Sequence, residues 1–258
     1  TTNTGDNGII GGYNYCLLTD NNNTLWIGTP YGISLYDGST WNTMTKNDGL
    51  RVDAVGDLVI DNNNNIWRGY GGYLAGVSMY DGSTFTHFRS SDGLFHDGVT
   101  DILVDKNGNI WLAHGYSNDG GISIYNGSSW QTYSSEVGLT EISVECLAED
   151  SDGNILIGTN GKGTYIFKND TITPFCWEEN STAYVSDIYV DNSGIIWVAA
   201  GVAHKFENNT WSEINFYESG SGGSVSHIGE DNLGRILFST SNGFTILDGT
   251  EFSYYSTD

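Results

Sequence analysis

Along the chain, short apolar runs alternate with turn residues, and the whole pattern returns about every 40–45 residues. Asp20, Asp61, Asp105, Asp150, Asp191 and Asp231 mark the register, spaced by 41, 44, 45, 41 and 40 residues. Three residues past each anchor stand Asn23, Asn64, Gly108, Gly153, Gly194 and Gly234. Gly and Asn are the residues that best tolerate the positive φ of a tight hairpin. Five and six past the anchor comes an apolar pair: Leu25–Trp26, Ile66–Trp67, Ile110–Trp111, Ile155–Leu156, Ile196–Trp197 and Ile236–Leu237. An apolar pair just after a tight turn predicts a buried strand.

Each anchor also closes a strand. Val55, Val99, Val144, Val185 and Val225 lie six residues before it, and Leu17, Leu58, Ile102, Leu147, Ile188 and Ile228 lie three before. Downstream come GISLYDGSTW, GVSMYDGSTF and GISIYNGSSW, then the looser GTYIFKNDTI, VAHKFENNTW and GFTILDGTEF. Each reads as a strand, a two-residue turn of Asp-Gly or Asn-Gly type, and a strand opening on an aromatic. No helical period interrupts them. Four strands per unit, six times over, predict an all-β fold: a six-bladed β-propeller with four antiparallel strands per blade. The blades fall near residues 13–46, 54–90, 98–134, 143–177, 184–217 and 224–258, in one domain spanning 1–258. Gly8-Ile9 aligns with Gly49-Leu50 and Gly93-Leu94, so residues 1–12 read as the tail of the same repeat.

Composition agrees with this picture and narrows the partners. Aromatics at 13%, with 35 Gly and 2 Pro, suit short strands and many turns. Nine Lys+Arg against 32 Asp+Glu leave a net charge of −23 and no basic cluster. Such a surface repels phosphate backbones and anionic lipid, which argues against nucleic acid and membrane-surface partners. No apolar run approaches the roughly 20 residues needed to cross a bilayer as a helix. Cys16, Cys146 and Cys176 form no metal spacing; all three fall in strand-like segments and read as buried, unpaired thiols.

The repeat, with Gly-Asn-Ile-Trp after the anchor, Gly-Ile…Tyr-Asp-Gly…Trp downstream and Asp-Gly-Leu before the next unit, resembles the two-component regulator propeller repeat. The likeness is close in the first three units and looser in the last three, where Leu156 and Leu237 replace the Trp. The resemblance implies an extracytoplasmic bacterial location, periplasmic or at the cell surface, and a sensor-type domain of a larger polypeptide. The repeated residues build blades, so they carry little about the ligand.

Candidate chemistry lies where the repeat breaks. Nine residues past the anchor, units one, four and six carry Thr29, Thr159 and Thr240, whereas units two and three carry Tyr70 and His114. Longer loops with Tyr73 and Tyr116 follow, and connections between blades on the same face hold Arg51, Asp53, Phe95, His96, Asp97, Trp177, Glu178 and Glu179. Aromatic platforms beside polar groups suit a glycan or a peptide, so Tyr70, Tyr73, His114, Tyr116, Arg51, Phe95, His96 and Trp177 are the candidate ligand-binding residues. Four residues before the anchor stand Cys16, Asp57, Asp101, Cys146, Asp187 and His227. Asp57, Asp101, Asp187 and His227 form a candidate cation site, calcium being the fitting ion; the competing reading is that these groups accept backbone amides of the next blade. Asp150 and Asp152 suggest a calcium loop, but an Asp holding turn amides explains them without one. No other cofactor is expected.

Nucleophile-elbow, zincin, P-loop and dinucleotide motifs are all missing from the sequence. The sequence therefore reads as a non-catalytic binding module. A structural or protein-interaction scaffold of a surface assembly is the alternative, and a polysaccharide lyase or hydrolase a further one. The sign of an enzyme would be a His and an acid converging, such as His227 with Asp187 or His96 with Asp97.

Overall fold

The computed structural model describes residues 9–11, 16–70, 75–115, 120–134, 139, 143–178, 181–214 and 223–256. Blade 1 is built from β1 (Cys16–Thr19), β2 (Leu25–Thr29), β3 (Gly32–Tyr36) and β4 (Trp41–Met44). Blade 2 follows with β5 (Asp57–Ile60), β6 (Ile66–Gly69), β7 (Val77–Tyr80) and β8 (Phe85–Phe88), and blade 3 with β9 (Asp101–Val104), β10 (Ile110–His114), β11 (Gly121–Tyr125) and β12 (Trp130–Tyr133). Blade 4 holds β13 (Ser143–Glu149), β14 (Ile155–Asn160), β15 (Thr164–Lys168) and β16 (Thr171–Pro174). Blade 5 holds β17 (Asp187–Val190), β18 (Ile196–Ala200), β19 (Val202–Glu207) and β20 (Thr210–Ile214); blade 6 holds β21 (Val225–Glu230), β22 (Ile236–Thr240), β23 (Gly243–Asp248) and β24 (Glu251–Ser256). In every sheet the strands lie in chain order. The chain is an all-β, six-bladed propeller. Its compact units are Thr1–Ser143 and Val144–Asp258.

The anchor aspartate explains why the first hairpin recurs. Its Oδ1 accepts the amides two and four residues on, at 2.9 Å each in Asp20. Its Oδ2 accepts the indole N–H of the tryptophan six residues on: Trp26 at 3.0 Å, and Trp67, Trp111 and Trp197 at 2.9 Å. One carboxylate thus closes the turn and satisfies a buried donor. In blades 2 and 3 that oxygen also accepts Asn65 and Asn109 Nδ2 at 2.8 Å; where the tryptophan is lost it accepts Asn154 Nδ2 at 2.7 Å or Arg235 Nε at 2.7 Å. Asp150 spends its other oxygen on the amides of Asp152 and Asn154, so its loop is a capped turn. The residue three past each anchor has φ between 61° and 85°, as the hairpin requires.

The second hairpin departs from expectation. Blades 4 and 5 use two-residue turns, with both Asn169–Asp170 and Asn208–Asn209 at positive φ. Blades 1–3 use four residues instead. There Asp37, Asp81 and Asn126 each accept the amides two and three residues on, so the side chain closes the loop and a single glycine at positive φ suffices. Cys176 also differs from expectation, lying two residues beyond β16 rather than within a strand. Two short 3-10 turns, Lys46–Asp48 and Ser90–Asp92, open the connectors after blades 1 and 2.

The core sits between consecutive blades. Trp26 of blade 1 packs with Val55, Leu58 and Ile66 of blade 2 and its connector; Trp67 packs with Val99, Ile102 and Ile110 of blade 3. In the second unit Leu156 meets Val185, Ile188 and Ile196, and Trp197 meets Val225, Ile228 and Ile236. The valine column is at most 2% exposed. At its foot the chain must come close: a Cβ on Gly28 would stand 2.3 Å from Cys16 Sγ and 2.7 Å from Val55, and one on Gly158 would meet Cys146 and Val185 at the same distances.

Candidate functional site

The connectors that carry the predicted ligand residues are held by buried polar bonds to the third strand. Ile10 N–H donates to Ser34 Oγ at 2.8 Å, and the equivalent Phe95 N–H donates to Ser123 Oγ at 2.9 Å. Blade 2 inserts Tyr70 into this link. Arg51 N–H donates to Tyr70 Oη at 3.0 Å, Tyr70 meets Ser78 Oγ at 2.6 Å, and Ser78 meets His87 Nδ1 at 2.6 Å. Beneath it Arg68, at 1% exposure, stands where the other blades have Ile27, Leu112, Ile157, Val198 and Phe238. Its Nη2 donates to the carbonyls of Val52, Asp53 and Ala54 at 2.8, 3.1 and 2.7 Å, and its Cζ lies 4.2 Å from the centre of the Tyr70 ring. Burial pushes this guanidinium down to about 10, so it stays charged at neutral pH.

His114 does the same work in blade 3. Its Nδ1 lies 2.8 Å from the Gly98 carbonyl and must donate; its Nε2 therefore accepts from Ser123 Oγ at 2.7 Å. Burial pushes the imidazole down to about 4, opposed by the Gly98 carbonyl. Tyr70 and His114 are 0% and 1% exposed, so both act as struts under the connectors rather than as surface groups. Tyr73, Tyr116 and Glu179 lie outside the described residues. Arg51, Phe95 and His96 are half-buried on the connectors. Phe95 rests on His114, with ring centres 5.9 Å apart, and His96 Nδ1 accepts Gly98 N–H at 3.0 Å. Asp97 accepts Ser90 N–H at 2.6 Å and pairs with Arg89 at 2.8 Å, so His96 and Asp97 are spent on separate partners.

Trp177 has a different setting. It lines an open groove of about 730 Å³ in the second unit, with Lys162, Tyr165, Pro174, Cys176, Glu178, Ser181 and Thr182. One indole face lies on His204, centres 3.8 Å apart and planes 14° apart, and its edge meets Trp211 at 5.8 Å. Burial holds His204 below the usual imidazole range, against the pull of Glu213 and Glu178. The neutral ring thus backs a fixed aromatic wall. The groove forms because Gly163 lets the connector fold in: a Cβ there would stand 2.7 Å from Cys176 Sγ and 3.0 Å from Ser181. Gly161 and Gly163 N–H both donate to Ala183 O at 3.1 Å. Trp177 and Glu178 were legible as off-pattern connector residues. Lys162, Tyr165, Ser181 and Thr182 were not; the available signal was the missing Asp-Gly-Leu in that connector.

The column before the anchor divides by blade. Asp57 Oδ2 accepts Ile102 N–H at 3.2 Å, and Asp187 Oδ2 accepts Ile228 N–H at 2.7 Å, each tying one blade to the next. Burial pushes both carboxyls up, with those amides opposing. Cys16 is pushed up to about 12, chiefly by burial and then by Asp57. His227 is exposed. Among the described residues no group of three or more His, Cys, Asp or Glu side chains is placed to hold a metal ion. No described helix is long and apolar enough to cross a membrane.

Comparison with known proteins agrees with the repeat. Residues 8–31, 93–116 and 138–161 match the two-component regulator propeller. The extracellular domain described as that of a hybrid two-component system of B. thetaiotaomicron superposes with a TM-score of 0.78 at 20% identity, over 95% of this chain and 35% of that one. Virginiamycin B lyase of Staphylococcus aureus, solved with quinupristin, gives 0.78 at 13% identity over 94% and 84%. YCF48 bound to D1 peptide gives 0.66 at 12% over 95% and 78%. At such identities the likeness establishes the propeller fold. No curated protein matches the chain.

Proposed function

We propose that this chain is an extracytoplasmic, non-catalytic, sensor-type propeller domain that binds a glycan or a peptide on its connector face. The groove at Trp177 is the observation that carries this reading. A rigid indole, a phenol at Tyr165, two hydroxyls and one charge of each sign supply both an apolar platform and hydrogen-bonding groups, which is what sugars and peptides need. In the first unit, Arg51, Phe95 and His96 stand half-buried on the connectors that the Tyr70 and His114 struts hold, and they are a second place for a ligand; Tyr73 and Tyr116 belong to the same sequence neighbourhood. The resemblance to sensor domains supports the location and the absence of chemistry. Asp97 is spent on the Ser90 amide and the Arg89 ion pair, and Asp187 accepts Ile228 N–H while its charge faces His227.

A glycan array and a peptide library tested on the parent, Trp177→Ala and Tyr165→Ala give the check. Binding by the parent that falls at least about tenfold in Trp177→Ala fits loss of a stacking platform. Binding that both variants retain would move the site elsewhere, and no binding by the parent would favour the scaffold reading.

A further inference from the structure

The groove at Trp177 contains a positive charge that no acid neutralises. Lys162 lies at the tip of the loop between β14 and β15, flanked by Gly161 and Gly163 at φ 90° and 67°. It is exposed and lines the groove, and among the described residues it forms no ion pair. Lys46, Arg89, Lys205 and Arg235, by contrast, are paired with Asp53, Asp97, Glu207 and Asp231. With 32 acids against nine cations in the chain, partners are plentiful. A lysine held apart from them, beside an aromatic wall, marks a place for an outside anion.

The wall chooses between the two ligand classes. The Trp177 indole is backed by His204, with planes 14° apart, and Tyr165 lines the same groove. A pyranose ring needs such a flat face and a few polar groups, which Thr182 and Glu178, both exposed on the groove, supply. An extended peptide would instead bind by adding a strand to a sheet edge. The edge here is β16, the outermost strand of blade 4. Its groove-lining residue is Pro174, which pairs with Tyr165 and has no N–H to donate.

We propose that the Trp177 groove, taken as the binding site, selects a saccharide bearing an isolated carboxylate, a uronic acid, with Lys162 Nζ reading that charge while the sugar ring stacks on Trp177. The choice rests on that groove binding a ligand at all. Lysine is a point charge on a flexible stem, so it reads the charge of the carboxylate more than its angle. The ion pair is partly open to solvent, which limits it to a modest selectivity. Glu178 accepts ring hydroxyls and repels a second acid nearby, so a run of adjacent uronates fits less well than one flanked by neutral sugars.

Calorimetric titration with matched sugars tests this: oligosaccharides containing a single glucuronic or galacturonic acid, against the same oligosaccharides with glucose or galactose in its place. The parent binds the acidic member at least about threefold tighter, and the gap narrows as salt rises. Lys162→Ala removes most of the gap and Lys162→Arg keeps it, whereas Trp177→Ala weakens both members. Equal affinity for the two members, with Trp177→Ala weakening both, overturns the proposal and leaves the groove as the binding site. A preference that survives Lys162→Ala overturns it too. Acidic peptides bound through Lys162, with no sugar bound, would give the groove to peptides and overturn it likewise. No binding of either class by the parent removes the groove as the binding site and this proposal with it.

Discussion

His114 takes the place of the threonine found in blades 1, 4 and 6, and that exchange sets a pH dependence. The threonines donate to the carbonyl three or four residues ahead, as Thr29 does to Gly32 and Thr159 to Gly163. The imidazole spans further, from Gly98 to Ser123, but only when neutral. Its folded value near 4 lies below the ordinary 6.5, so the stability it contributes is complete above about pH 6.5 and lost as pH falls toward 4. His96 lowers it further and Asp97 opposes, and both charges face the same ring. Thermal unfolding of the parent should lose about 3 kcal/mol over this window, and His114→Gln should flatten the loss. An unchanged slope in that variant would assign the acid sensitivity to another group.

Asp57 has the opposite sign. Burial raises its carboxyl, so the fold favours the protonated form; that contribution is full below the unfolded carboxylate range and fades as pH rises through the raised value. Asp57→Asn keeps an acceptor for Ile102 N–H without the charge. It should stabilise the chain at pH 7 and do little at pH 3, as read by denaturant midpoints. Loss of stability at pH 7 would mean that the charged form is the one the fold prefers. Arg68 differs from both, because its Nη2 alone satisfies three carbonyls. Arg68→Leu restores the residue type of the other blades but strands those acceptors, and should cost about 2–4 kcal/mol.

At the scale of the element, the anchor hairpin shows how much was readable and why. An Asp, a Gly or Asn three on and a Trp six on share one carboxylate, and a local bond of that kind leaves its trace in spacing. Asp61→Ala would orphan two turn amides and the Trp67 indole together, and a loss of about 3 kcal/mol in urea unfolding is expected. The four-residue turns of blades 1–3 were less legible, because Asp37 and Asp81 can close a loop by side chain as easily as Gly-rich backbone can by φ. Tyr70 and His114 stood out as exceptions to the repeat, but their direction depends on Ser78 and Ser123, eight and nine residues on, and on the Arg51 amide and the Gly98 carbonyl of the preceding connectors. The groove escaped for a similar reason. Gly163 and Cys176 lie 13 residues apart, and only their close approach across β15 and β16 shapes it. Cys16 and Gly28 form a matching close pair. Gly28→Ala should destabilise by about 2–4 kcal/mol in denaturant unfolding, and adding Cys16→Ala should recover part of it, Val55 remaining in the way.

Across the whole molecule, equivalence of the six blades is what gives the connector face, the struts and the groove their meaning. The strongest signals in the chain, the anchors and apolar pairs, serve packing; the groove sits where they lapse. The net charge of −23 repels polyanions but does not select a ligand.

Native-state hydrogen exchange, read residue by residue, tests this equivalence most directly. The second strands β2, β6, β10, β14, β18 and β22 lie within their sheets with a partner on either side, and each should be among the slowest-exchanging segments of its blade. Fast exchange through any one of the six, or protection following a helical spacing, would contradict the six-blade account.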